Sequence, residues 1–122
     1  MANLDQSVQE LLAIDGATAA SLVDAASGMA LAQGGHPGFD LGIASAGNSN
    51  VVRAKLQTMK ELGLSGKIDD ILITLDDQYH LINVLDGEST GGLFVYLVLD
   101  RARANLALAR HKLSAIAGHL DI

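Results

Sequence analysis

The clearest hydrophobic run is Leu93-Phe94-Val95-Tyr96-Leu97-Val98-Leu99, which leads directly into Asp100-Arg101-Ala102-Arg103-Ala104-Asn105-Leu106. Side chains alternate across a strand, so Leu93, Val95, Leu97 and Leu99 share one face while Phe94, Tyr96 and Val98 share the other. Both faces are apolar. A sheet with one wet face would show a polar residue at every second position, so this strand is expected in the middle of a sheet covered by helices on both sides.

The pattern upstream is helical first. Leu4, Val8, Leu11 and Leu12 fall on one face behind Asn3, a natural cap, with Gln6 in the position of a capping-box partner and Gly16 as a stop. Residues 17–24 and 29–33 then read as two short antiparallel strands joined by Ala25-Ala26-Ser27-Gly28, where Gly28 can take the positive φ of a tight loop. Gly34-Gly35-His36-Pro37-Gly38 reads as a structural loop, since no Gly-Lys-Ser/Thr follows to make it a phosphate cradle.

Asp40 is a candidate cap for a second, longer helix that runs to residue 61 or 62 and stops at Gly63. Its first half contains Gly42, Gly47, Asn48, Ser49 and Asn50, poor helix formers that need tertiary support. In the second half, at about 100° per residue, Val51, Val52, Ala54, Leu56, Met59 and Leu62 occupy an arc of roughly 200° that Lys55 interrupts. A helix lying on one sheet needs a stripe only a little over ~100° wide. Arg53, Gln57, Lys60 and Glu61 crowd the remaining side. Such a helix is either buried on most sides within its own chain or meets a second body.

Three more strands are expected at 68–75, 79–85 and 93–99. The links between them are too short for a parallel crossover, so they form an antiparallel meander. A last helix is expected from Asp100, as its cap, to about residue 119, with Ala102, Leu106, Ala109, Leu113, Ile116 and Leu120 as its apolar seam. Arg101, Arg103, Arg110 and Lys112 read as its solvated face. The order α-β-β-α-β-β-β-α predicts an α+β fold, a five-stranded antiparallel sheet flanked by helices on both faces, in one domain over residues 1–122.

Composition narrows the function. Eight basic against fourteen acidic side chains give a net charge of -6, which argues against nucleic acid as a partner. There is no cysteine, so disulfides and thiolate metal sites are excluded and a reducing, cytoplasmic setting is expected. No stretch approaches the ~20 apolar residues of a membrane span, and the start lacks a basic leader with an apolar run, so a soluble, unexported chain is expected.

Catalytic chemistry is absent from the pattern. His36, His80, His111 and His119 have no metal-clamping spacing, and His80 reads as a surface or satisfied histidine rather than a base. Asp69 and Asp70 lie at one end of a strand and Asp76 and Asp77 at the other, about 23 Å apart, so they read as solvated turn carboxylates. Gly63-Leu64-Ser65-Gly66 lacks the spacing of a nucleophile elbow. No cofactor or metal is implied.

The element order, the segment Leu22-Val23-Asp24-Ala25-Ala26-Ser27-Gly28-Met29 and the ending Asp100-Arg101-Ala102-Arg103-Ala104-Asn105-Leu106-Ala107-Leu108-Ala109-Arg110 resemble the Roadblock family, related to a dynein light chain, and most nearly its short, free-standing bacterial members. The resemblance spans the whole chain. It implies a homodimer in which the second helices pack together and the sheets join edge to edge through the strand at 68–75. It also implies a non-catalytic regulator or scaffold of a small Ras-like GTPase, sometimes encoded beside a sensor-kinase-like protein. The glycine- and asparagine-rich start of the second helix departs from the family pattern. Together with the wide apolar arc, the resemblance marks Val51, Val52, Lys55, Leu56, Met59, Ile71 and Ile73 as the expected dimer interface. Arg53, Gln57, Lys60 and Glu61 are the expected partner-binding face. A small-molecule sensor or general adaptor in a signalling complex is the alternative. Against a ligand pocket, only 3% of residues are aromatic, which leaves few anchors.

Overall fold

The computed structural model describes residues 3–120, so the ends of the domain expected over 1–122 lie outside the described residues. Helix α1 (Leu4–Leu12) begins where Asn3 Oδ1 accepts the Gln6 N–H at 2.7 Å. It ends four residues short of Gly16. That glycine, at φ 87°, instead turns the chain into strand β1 (Ala17–Asp24), pressed so close to the Ala104 backbone that a Cβ would meet it at 2.8 Å.

Strand β1 returns through Ala25-Ala26-Ser27-Gly28 into strand β2 (Ala30–Gly35), with Gly28 at φ 76° as its conformation requires. The Ser27 hydroxyl donates to Asp24 Oδ2 at 2.6 Å and accepts the Met29 N–H at 3.2 Å, pinning the turn. The loop expected from Gly34 onward begins later: both glycines pair with β1, Gly34 opposite Ala20 and Gly35 opposite Ala19. The reason is close packing, since a Cβ on Gly34 would lie 3.0 Å from Val8 and 3.2 Å from Leu12 of α1.

Helix α2 (Leu41–Glu61) starts at Asp40, whose Oδ1 accepts the Ile43 N–H at 3.1 Å, and Gly63 follows its end at φ 69°. Strands β3 (Asp70–Thr74), β4 (Gln78–Val84) and β5 (Leu93–Asp100) form the expected meander, β3 starting two residues later than its sequence suggests. Helix α3 (Leu106–Gly118) corrects the sequence reading more strongly: its cap is Asn105, whose Oδ1 accepts the Leu108 N–H at 3.1 Å. Asp100 ends β5 and caps a turn instead, its Oδ1 taking the Ala102 N–H and its carbonyl the Arg103 and Ala104 N–H groups. Ala102, expected in the apolar seam, is therefore exposed.

All strand pairs are antiparallel, in the order β2-β1-β5-β4-β3. Strand β5 is central, and Phe94 through Leu99 are wholly buried. One face packs Leu22, Leu81, Val95, Leu97 and Leu99 against Leu11 of α1 and Ala109 and Leu113 of α3. The other packs Val23, Ile82, Phe94, Tyr96 and Val98 against Leu41 and Val52 of α2. The weak first half of α2 is held by this contact: Ser45 and Ser49 are buried on the sheet side, and Ser45 shares a 3.0 Å hydrogen bond with Ser21 of β1.

Candidate functional site

Helix α2 rests on the sheet through Leu41, Ser45, Ser49 and Val52, spaced by four, four and three residues along a single line of its surface. Val52 is the last buried residue on that line. From Arg53 to Glu61 every side chain is exposed except the half-buried Met59. The wide apolar arc is consequently not absorbed by the chain's own core: Val51 is 38% exposed, Leu56 43% and Leu62 66%, with Ile43 at 72% nearer the helix start. Lys55 lies exposed within the same arc.

Beyond α2 on the same face of the sheet runs β3, the outermost strand, with one edge unpaired. Its Ile71 and Ile73 stand opposite Ile82 and His80 of β4 and are half-buried, because α2 lies across the β1 side of this face. The sequence-predicted interface set therefore divides. Val52 is taken up by the chain's own core, while Val51, Lys55 and Leu56 are exposed and Met59, Ile71 and Ile73 are half-buried.

The polar side of α2 is partly committed within the chain. Arg53 Nη1 donates to the Ala26 carbonyl at 2.8 Å and its Nη2 to Asn50 Oδ1, so this arginine clasps the β1–β2 turn. Gln57 Nε2 donates to Glu61 Oε1 at 3.1 Å, one helical turn on. Lys60 is exposed between them.

Between α2 and β4 the face carries a polar cluster that spacing alone does not identify. His80 hydrogen-bonds Gln78 Oε1 at 2.9 Å through Nε2 and the Tyr96 hydroxyl at 3.0 Å through Nδ1. Its ring lies edge-on to Tyr96 at 5.4 Å and 5.9 Å from Phe39. Burial lowers the imidazole pKa from its ordinary value and pushes the Tyr96 phenol up to about 12, against a smaller opposing effect of Asn48. Both groups are thus neutral near pH 7, and His80 is a satisfied histidine. The only sequence signal for it is a polar residue in an apolar strand.

The opposite face of the sheet holds a groove of about 610 Å³ between α3, the start of β3 and the loop after β4. Two ion pairs span it, Lys67 to Asp86 at 2.7 Å and Arg110 to Asp70 at 2.7 Å. The lysine, by hydrogen bond and charge, holds the Asp86 carboxyl below its usual range. Asp70 is consequently not the solvated turn carboxylate its sequence position suggests. Among the described residues no group of three or more His, Asp or Glu side chains is placed to hold a metal ion, and no helix is long and apolar enough to cross a membrane.

No protein-family model matches the sequence, and no curated protein matches it. Solved structures do match the fold. A Roadblock/LC7 domain from Streptomyces avermitilis superposes with a TM-score of 0.80 at 14% identity, over 96% of this chain and 93% of that one. Myxococcus xanthus MglB gives 0.73 at 15% identity, over 94% and 79%. An MglB with a tetrameric arrangement gives 0.64 at 18% identity, over 92% and 85%. The chain has the Roadblock/LC7 fold, with the element order and sheet read from its sequence.

Proposed function

We propose that this protein, built on the Roadblock/LC7 fold, is a homodimeric regulatory or scaffold protein that binds a small Ras-like GTPase and does no chemistry of its own. The observation that carries this reading is the second half of α2, whose apolar side chains stay exposed on the same face of the sheet that carries the half-buried Ile71 of the edge strand β3. A two-fold partner covers both at once, because its own β3 extends the sheet while its α2 lies against Val51, Lys55, Leu56 and Met59 and over Ile71 and Ile73. Val52 supports that surface from behind. The likeness to MglB structures, one of them in a tetrameric arrangement, favours self-association over a solitary chain.

The polar side of the same helix, Arg53, Gln57, Lys60 and Glu61, is left facing outward by such a dimer and forms the GTPase contact. Arg53 works there by holding the β1–β2 turn in place beside the helix, and Lys60 offers the uncommitted charge. The test is capture from native lysate with the tagged chain, in parallel with GDP and a non-hydrolysable GTP analogue. Recovery of a small GTPase in one nucleotide state, reduced by Lys60→Glu, is expected. Absence of any GTPase from both arms contradicts the proposal.

A further inference from the structure

We propose that His80 makes self-association of this chain sensitive to acid, because the dimer closes over a histidine whose groove is lined by amide, phenol and apolar side chains and offers its charged form no carboxylate. The inference rests on the homodimer reading above and concerns what that interface covers.

The ring sits on the floor of a shallow groove of about 380 Å³, walled by Phe39, Ala44 and Gly47 on one side and Leu75 on the other, with Tyr96 beside it. The groove lies on the α2 face of the sheet, next to Ile73 of the open edge strand, which is His80's pairing partner. Phe39 and Leu75 on its rim are 39% and 41% exposed. A second copy that adds its β3 to this edge and its α2 to this helix caps the groove and removes its remaining water.

The surroundings of the ring favour its neutral form. Gln78 presents its carbonyl oxygen Oε1 to Nε2, so Nε2 carries the hydrogen and Nδ1 accepts from the Tyr96 hydroxyl. A second proton on Nδ1 turns that bond around: the phenol must give up its donor role and swing its hydrogen away. Among the described residues, none that lines the groove is a carboxylate that could offset the charge. On β4 the neighbour is the Gln78 amide, on β5 the Tyr96 phenol, on α2 the Asn48 amide with Ala44 and Gly47, and at the rim Phe39 and Leu75. Tyr96 stays protonated throughout, with its pKa raised by burial to about 12. Closing the dimer over a charged imidazole therefore costs more than closing it over a neutral one. Both copies contribute a histidine by symmetry.

Linkage gives the size of the effect. If each copy must shed its proton to associate, the dissociation constant rises as pH falls below the monomer's His80 titration, by up to about two decades per pH unit, and is flat above it.

The experiment is sedimentation equilibrium of the full chain between about pH 8 and pH 5.5, beside His80→Gln, with NMR titration of the His80 ring in the wild type and in Val51→Glu, a variant aimed at the dimer surface. Expected are a wild-type dimer that loosens at least tenfold across that range, a variant whose dissociation constant moves less than threefold, and a ring that titrates at higher pH in Val51→Glu than in the dimer. If His80→Gln does not fold, the NMR comparison decides alone. A wild-type dissociation constant that is flat across the range, an equal slope in the variant, or equal titration in both states overturns the proposal. A chain that is monomeric even at about pH 8 overturns the dimer reading itself, which is a distinct result.

Discussion

Arg110 and Asp70 lie 40 residues apart in sequence and meet in a two-pronged ion pair, Nε to Oδ2 at 2.9 Å and Nη2 to Oδ1 at 2.7 Å. The pair ties α3 to the first residue of β3, the edge strand that the proposed dimer extends. The Arg110 side chain is 46% exposed and that of Asp70 only 18%, so solvent screens the contact from one side. Arg110→Ala is expected to lower the urea midpoint by a small but measurable amount, since the pair is exposed on one side yet two-pronged in geometry. Arg110→Lys should restore less than half of that, since an ammonium cannot engage both oxygens in parallel. Urea unfolding of the three proteins checks both statements.

A second prediction concerns the hydroxyl pair beneath α2. Ser21 and Ser45 are both fully buried and satisfy one another at 3.0 Å. Ser45→Ala leaves the Ser21 hydroxyl without that partner and is expected to cost about 1–3 kcal/mol, whereas Ser21→Ala with Ser45→Ala should recover most of the loss. A double-mutant cycle in urea measures the difference, and simple additivity would contradict the account.

The central strand supplies a third. Leu97 is wholly buried between β1 and β4 and packs in the core beneath α1 and α3. Leu97→Ala is expected to lose roughly 2–5 kcal/mol through lost transfer energy and the cavity left behind. A change below ~1 kcal/mol in urea would contradict its central place.

The fourth concerns pH within one chain. Burial lowers the His80 pKa from 6.5, so below that value the unfolded chain binds more protons than the folded one. Folding stability contributed by neutral His80 is therefore complete above the unfolded pKa and is lost as pH falls through 6.5 toward the lower folded value. Urea midpoints at about pH 7.5 and pH 5.5 should fall further for the wild type than for His80→Gln.

The fold was legible in the sequence wherever local chemistry decided it. Asn3 and Asp40 cap the helices they were expected to cap, and β1 occupies its expected residues, because capping geometry and turn glycines act over a few positions. Asp100 and Asn105 are equally good caps in isolation. What separates them is distant: Arg101 Nη1 reaches the Leu75 carbonyl at 2.7 Å and its guanidinium lies 5.1 Å from the Tyr79 ring centre, which fixes residues 101–103 as a turn. Gly34 and Gly35 looked like loop because their role is to let α1 press on the sheet, a contact invisible in a local window.

The candidate site divides in the same way. Periodicity showed that α2 carries more apolar surface than one sheet can use, yet it could not say that Val52 faces inward and Val51 outward. Nor could it pair Arg53 with the Ala26 carbonyl or His80 with Tyr96, since those partners lie 27 and 16 residues away.

The most direct test of the account is the mass of the full chain by sedimentation equilibrium at micromolar concentration near neutral pH, beside Val51→Glu, which alters the exposed side of α2 and leaves Val52 in place. A homodimer held through α2 has twice the 12.7 kDa of a single chain in the wild type and the single-chain mass in the variant, with unchanged helical content. A wild type that stays at 12.7 kDa, or a variant that keeps the doubled mass, would contradict it.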